Sequence, residues 1–163
     1  MTMETASNQG TSRIEARLAE MGLTLPAVAA PVAAYVPAVI SGNYVYTSGQ
    51  LPFIDGKLTV TGKVGAEVSA EEAKALAATS GLNAIAALKS VIGDLDRVTH
   101  IVKVVGFVAS DPSFSGQSGV INGASELFGA VFGDAGVHAR SAVGVAVLPL
   151  NSPVEVELIA QFQ

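Results

Sequence analysis

The chain has 163 residues, half of them hydrophobic and only 14% charged, which excludes disorder over most of its length and fits one domain with a short extension. At 16.5 kDa and a mean hydropathy of +0.49 it carries more apolar surface than a core this small can hide, so burial between subunits is expected. A formal charge of −5, nine scattered basic residues and no cysteine argue against tight nucleic-acid binding and exclude disulfides, zinc–thiolate sites, iron–sulfur clusters and cysteine nucleophiles.

Residues Met1 to Thr11 are polar, with no basic segment leading into an apolar one, so no signal peptide is read and a cytoplasmic location is expected. Ser12 caps a predicted helix from Arg13 to about Met21, with Glu15 in its first turn and Gly22 as its stop. An extended crossing rich in proline and alanine follows from Leu25 to Pro37. The longest apolar run, Leu25 to Ile40, is too short for a membrane span and is broken by Pro26, Pro31 and Pro37. The organisation read is therefore a lead, helix and crossing over residues 1–30, then one compact domain over 31–163.

Within that domain, Tyr35 to Ser41 and Tyr44 to Ser48 read as strands joined at Gly42-Asn43. Ser69 and Glu72 form a capping box for a helix to about Val91, whose stripe of Ala73, Ala77, Ser80, Gly81, Ala84, Leu88 and Val91 repeats with helical period. Val98 to Ala109 reads as a buried strand, stopped by Asp111-Pro112-Ser113. A second helix covers about Gly119 to Phe132 and ends at Gly133. The last strands are Ala139 to Leu148 and Val154 to Phe162. The order is ββαβαββ, an α+β pattern.

Familiar catalytic motifs fail. Gly56 to Lys63 has one residue too many for a phosphate-binding loop, and Val64 stands where a magnesium-binding hydroxyl is needed. His100 and His138 lack a partner at ligand spacing, so each is read as an ordinary polar or interface residue, and no metal is expected. The last two strands carry the chemistry. Val143, Val145 and Val147 are read as facing the helices, which turns Arg140, Ala142 and Gly144 to the other side. Val154, Val156 and Leu158 are read likewise, which turns Glu155 and Glu157 the same way as Arg140. If these strands form a hairpin across Pro149 to Ser152, Ala146 opposes Glu155, Gly144 opposes Glu157, and Arg140 and Glu155 share one cleft. A guanidinium with its fork free binds a carboxylate in two-pronged fashion, and a carboxylate nearby can hold and deprotonate a water. A structural Arg–Glu pair at a subunit interface is the bland alternative.

These residues carry a resemblance. Tyr35 to Val39 (YVPAV), Tyr46 to Pro52 (YTSGQLP), Ala139-Arg140-Ser141 through Val147-Leu148-Pro149, and Val154 to Glu157 (VEVE) resemble the YjgF/YER057c/UK114 family, also called the Rid family or endoribonuclease L-PSP. The resemblance runs from about Pro31 to Phe162. It implies a chorismate-mutase-like fold, a mixed sheet with two helices on one face, and a homotrimer with sites in the clefts between subunits. It implies no cofactor and no metal. For activity it implies hydrolysis of reactive 2-imino or enamine acids to 2-keto acids and ammonia. Arg140 then corresponds to the residue that holds the substrate carboxylate and Glu155 to the one that positions water. Tyr35, Ser48, Gly49 and Asn122 correspond to cleft residues. Ala142 stands where cysteine is usual, a position that contributes mainly its backbone; Gly144 replaces an acidic residue, and His138 a proline. These departures, with the added N-terminal helix, mark a side branch. A trimer that only binds small carboxylates is the alternative from another class, and ribonuclease activity is disfavoured by the acidic charge.

Overall fold

The computed structural model describes residues 12–28 and 34–163; the polar lead, part of the crossing with Pro31, and the domain boundary at residues 30 and 31 lie outside them. The first element, α1 (Arg13–Glu20), begins at Ser12, whose hydroxyl accepts a hydrogen bond from the Glu15 amide at 3.3 Å. It ends before Gly22, whose φ of +73° suits a residue without a side chain. Ile14 and Leu18 are buried, as the spacing of apolar residues requires.

What holds α1 in place is Asp96, in a 3₁₀ turn at Leu95–Arg97. Its carboxylate accepts from the Ser12 hydroxyl (2.8 Å) and from the amides of Arg13 and Ile14 (both 2.9 Å). A helix N-terminus has free amides and a positive dipole end, so an anion is favoured there. Partial burial pushes the Asp96 pKa up, but those hydrogen bonds outweigh it and hold the carboxyl below its ordinary value. Lys89 pairs with Glu15, and Arg17 donates to the Ala130 carbonyl. Asp96→Ala is expected to cost about 1 kcal/mol at pH 7, the usual magnitude for a lost cap. A lowered carboxyl pKa stabilises above the ordinary carboxylate range and ceases to do so as pH falls through the folded value. The deficit in thermal stability should therefore shrink between pH 7 and pH 3; equal stability at pH 7 would contradict this docking.

The sheet contains β1 (Ala38–Ser41), β2 (Tyr44–Thr47), β3 (Val98–Ala109), β4 (Ala139–Val145) and β5 (Val154–Phe162). Their spatial order is β1-β2-β5-β3-β4, with only β3 and β4 parallel. Two helices, α2 (Ala70–Ile92) and α3 (Gln117–Phe132), pack on one face. Val104, Val108, Val154, Val156 and Leu158 meet Ala73, Ala77, Ala84, Leu88, Ile121 and Phe128 in the core. The expected α+β arrangement holds, with α1 as a third helix. Ser69 caps α2 by accepting from the Glu72 amide at 3.1 Å. The small residues of α2 bring it close to the sheet and α3. Among the described residues α2 is the one helix long and apolar enough to cross a membrane, but over half of that stretch is buried inside the fold.

One expectation fails here. Strands β4 and β5 do not form a hairpin, because β3 lies between them and pairs with both. The connection steps over the end of β3: the Ser110 amide donates to the Val145 carbonyl and the Ala109 amide to the Pro153 carbonyl. The register follows β3. Arg140 aligns with Val104, which aligns with Leu158; Val143 aligns with Phe107, which aligns with Glu155. Aligned residues share a face. Glu155 and Glu157 point away from the helices as expected, but Arg140 and Ala142 lie on the helix side. Val143, expected in the core, is 43% exposed on the open side.

Candidate active site

Two clusters form, and neither is a complete site. The first lies where β2 ends. The Ser48 amide donates to the Pro37 carbonyl (2.8 Å) and its hydroxyl to the Val36 carbonyl (2.6 Å), which ties down the segment preceding β1. That segment carries Tyr35, 60% exposed. Gln50 and Val156 exchange backbone hydrogen bonds at 2.8 and 3.0 Å, which sets Gly49 directly over Glu155. The approach is so close that a Cβ on Gly49 would sit 2.7 Å from Glu155 Oε2; any side chain at Gly49 would move the carboxylate.

Glu155 is half-buried and has no ion-pair partner among the described residues. Burial first, and the neighbouring Glu157 carboxylate second, raise its pKa above the ordinary value. A carboxylate with a raised pKa and free oxygens can accept a proton from water.

The second cluster lies between β4 and α3. Arg140 Nη1 donates to Asn122 Oδ1 at 2.7 Å and to Ser125 Oγ at 3.2 Å. Nε and Nη2 make no hydrogen bond among the described residues, so a carboxylate-binding edge is free. Ala142, two positions along the same face, packs partly against the core.

Arg140, Asn122 and Ala142 are thus brought together, and so are Ser48, Gly49 and Glu155 with the Tyr35 segment. The two sets are not. Arg140 and Glu155 lie on opposite faces of the sheet, on strands separated by β3, so the single cleft expected from their alternation does not form within one chain. The hollow on the open face, about 160 Å³ and lined by Tyr46, Lys103, Val105 and Glu157 among others, belongs to neither cluster.

Sequence reading missed Ser125 and the role of His138. The Ser125 hydroxyl lies 2.9 Å from His138 Nε2, and nothing in the spacing of these residues signals that contact. His100 is an ordinary polar residue, its Nε2 donating to the Val137 carbonyl at 2.6 Å.

A family model described as "YjgF/chorismate_mutase-like, putative endoribonuclease" matches residues 15–162. The chain belongs to the YjgF family. This YjgF protein is 45% identical to Protein TCP17 of Trypanosoma cruzi over 150 residues, 91% of this chain and 94% of that protein. It is 34% identical to the 2-iminobutanoate/2-iminopropanoate deaminase of Escherichia coli (strain K12) over 131 residues, 80% of this chain and 89% of that one. Among solved structures, the protein Atu1372 from Agrobacterium tumefaciens, described as of unknown function, matches with a TM-score of 0.86 and 47% identity over 92% of this chain and 93% of that one. The expected family and fold hold, and deaminases are among the relatives of this YjgF chain.

Proposed function

We propose that the protein hydrolyses small reactive 2-imino or enamine acids to 2-keto acids and ammonia, in clefts between the subunits of a homotrimer. The observation that carries this reading is the pairing of two incomplete clusters on one chain. Among the described residues, one offers a guanidinium edge that makes no hydrogen bond, the other a partly desolvated carboxylate with no ion-pair partner. A neighbouring copy that brought its Arg140 cluster to the Glu155 cluster would complete a site. An apolar open face with Val39, Tyr46 and Val143 exposed, and the excess hydropathy of the chain, support assembly.

In such a site Arg140 holds the substrate carboxylate, and Asn122 holds Arg140. Glu155 takes a proton from water as the water oxygen attacks the C=N carbon. The π electrons move to nitrogen, which takes that proton back from Glu155, giving a tetrahedral amino alcohol. Glu155 then carries the hydroxyl proton to nitrogen as C=O forms and the C–N bond breaks, and ammonia leaves with Glu155 again ionised. Tyr35, Ser48 and Gly49 line the water side, and Ala142 the carboxylate side. Orientation supplies most of the acceleration, because imines hydrolyse readily. The relatives that are 34% identical deaminases favour turnover over binding alone, and the formal charge of −5 disfavours RNA as a substrate.

The test couples the purified protein to an enzyme that releases 2-aminoacrylate or 2-aminocrotonate from serine or threonine. Faster formation of keto acid and ammonia than in buffer is expected. A rate equal to buffer, with tight binding of 2-oxobutanoate, would favour the carboxylate-binding trimer instead.

A further inference from the structure

We infer that His138 and Ser125 are positioning residues that lock the Arg140 guanidinium so that only its Nε/Nη2 edge can receive a carboxylate. The inference rests on the proposed role of Arg140 as the carboxylate clamp and specifies how that clamp is aimed.

The Gly136 carbonyl selects the tautomer, and the other hydrogen-bond directions follow from it. His138 Nδ1 lies 2.6 Å from the Gly136 carbonyl, which can only accept, so Nδ1 carries the proton. In that tautomer Nε2 is the acceptor, and the Ser125 hydroxyl donates to it across 2.9 Å. With its proton committed, Ser125 can turn only lone pairs toward Arg140, and it accepts from Nη1 at 3.2 Å. The second Nη1 proton goes to Asn122 at 2.7 Å. Both protons of Nη1 are therefore used. A guanidinium has two forks, Nη1/Nη2 and Nε/Nη2, and this closes the first while leaving the second whole.

The surroundings hold the histidine rigidly. Its ring stands edge-on to Phe128, at 6.0 Å between centroids and 81° between planes. Gly136 lies against the end of α3 so closely that a Cβ there would come 2.3 Å from the Phe128 carbonyl oxygen. Only glycine lets the turn that carries His138 reach the helix that carries Asn122, Ser125 and Phe128. Without His138, the Ser125 hydroxyl is free to rotate and present its proton to the guanidinium, and the lock on Nη1 is lost.

The experiment uses the full chain in two arms. In the first, Michaelis kinetics on a carboxylate-bearing imine are compared for wild type, Ser125→Ala, His138→Ala and Ser125→Thr. The alanine variants are expected to raise KM about tenfold, the scale of one lost hydrogen bond to a charged group, with kcat within about threefold. Ser125→Thr, which keeps the hydroxyl, should stay near wild type. In an Arg140→Lys background, Ser125→Ala should have no further effect. In the second arm, arginine side-chain NMR follows rotation of the Arg140 terminal nitrogens without any substrate. Slow Nη1 rotation in wild type and faster rotation in both alanine variants is expected. Unchanged KM or unchanged rotation in the alanine variants would overturn the inference. A loss of kcat at constant KM would also overturn it, because Ser125 and His138 would then be reacting groups. If wild type hydrolyses no imine, the proposed function fails, and the NMR arm still decides the positioning role.

Discussion

Arg140→Lys is expected to lower kcat/KM by about 100-fold while the protein stays folded. Lysine keeps the charge but presents a single nitrogen, so it cannot bond Asn122 and Ser125 while offering a carboxylate two parallel donors. Arg140 is only partly buried on β4, an edge strand, so the fold has little to lose. Steady-state kinetics on a carboxylate-bearing imine, with a thermal melt on the same preparation, check both halves. Near-normal activity in the lysine variant would reduce Arg140 to a point charge and remove the two-pronged clamp.

Glu155→Gln is expected to lower kcat by about 10² to 10³ with little change in KM, since glutamine keeps size and hydrogen bonding but cannot take a proton. The same substitution should act on stability in the opposite direction. The Glu155 pKa is raised, first by burial and then by Glu157. Its protonated form therefore stabilises the fold below the ordinary glutamate value, and that contribution is lost as pH rises through the raised value. At pH 7 the wild type carries the cost of a partly desolvated charge, and the glutamine variant should melt at a higher temperature. In acid the difference should vanish. The kcat/KM profile of wild type should also fall on its acid side at a pH above the ordinary glutamate range. A variant of lower thermal stability at pH 7, or one with normal kcat, would mean that Glu155 has a structural partner and that the base lies elsewhere.

The elements were legible where breakers bound them. Val98–Ala109 and Val154–Phe162 match the expected strands residue for residue, because runs rich in β-branched residues end at Asp111-Pro112 or begin after Pro153. Gly133 stops α3, and Ser12 and Ser69 cap where expected. What alternation could not supply was the identity of the neighbouring strand. Sequential strands often pair, so the sequence points to a hairpin of β4 and β5. The insertion of β3 between them depends on contacts far apart in the chain.

The faces of β4 differ from the expectation for a related reason. Val143, Val145 and Val147 look like core because they are branched and apolar, yet Val143 and Val147 are exposed. Hydrophobicity tells inside from outside only when one face meets water. Here the open face also carries exposed apolar residues such as Val39, Tyr46 and Val143, so both faces of β4 look buried and parity loses its sense. The Ser125–His138 contact was illegible for the same kind of reason: α3 and β4 meet through a turn whose path is set by packing at Gly136, not by residue spacing.

The central claim is that one chain contributes the Arg140 cluster and another the Glu155 cluster. It is tested most directly by mixing two inactive variants, Arg140→Ala and Glu155→Gln, then unfolding and refolding them together. In a mixed trimer, some clefts pair the intact Arg140 of one subunit with the intact Glu155 of its neighbour. Random assembly of equal amounts makes about a quarter of all clefts intact, so about a quarter of wild-type activity should return. Each variant refolded alone should stay inactive. If both variants are inactive alone and the refolded mixture is no more active than either, the two residues do not meet across a subunit boundary, and the account of the site is wrong.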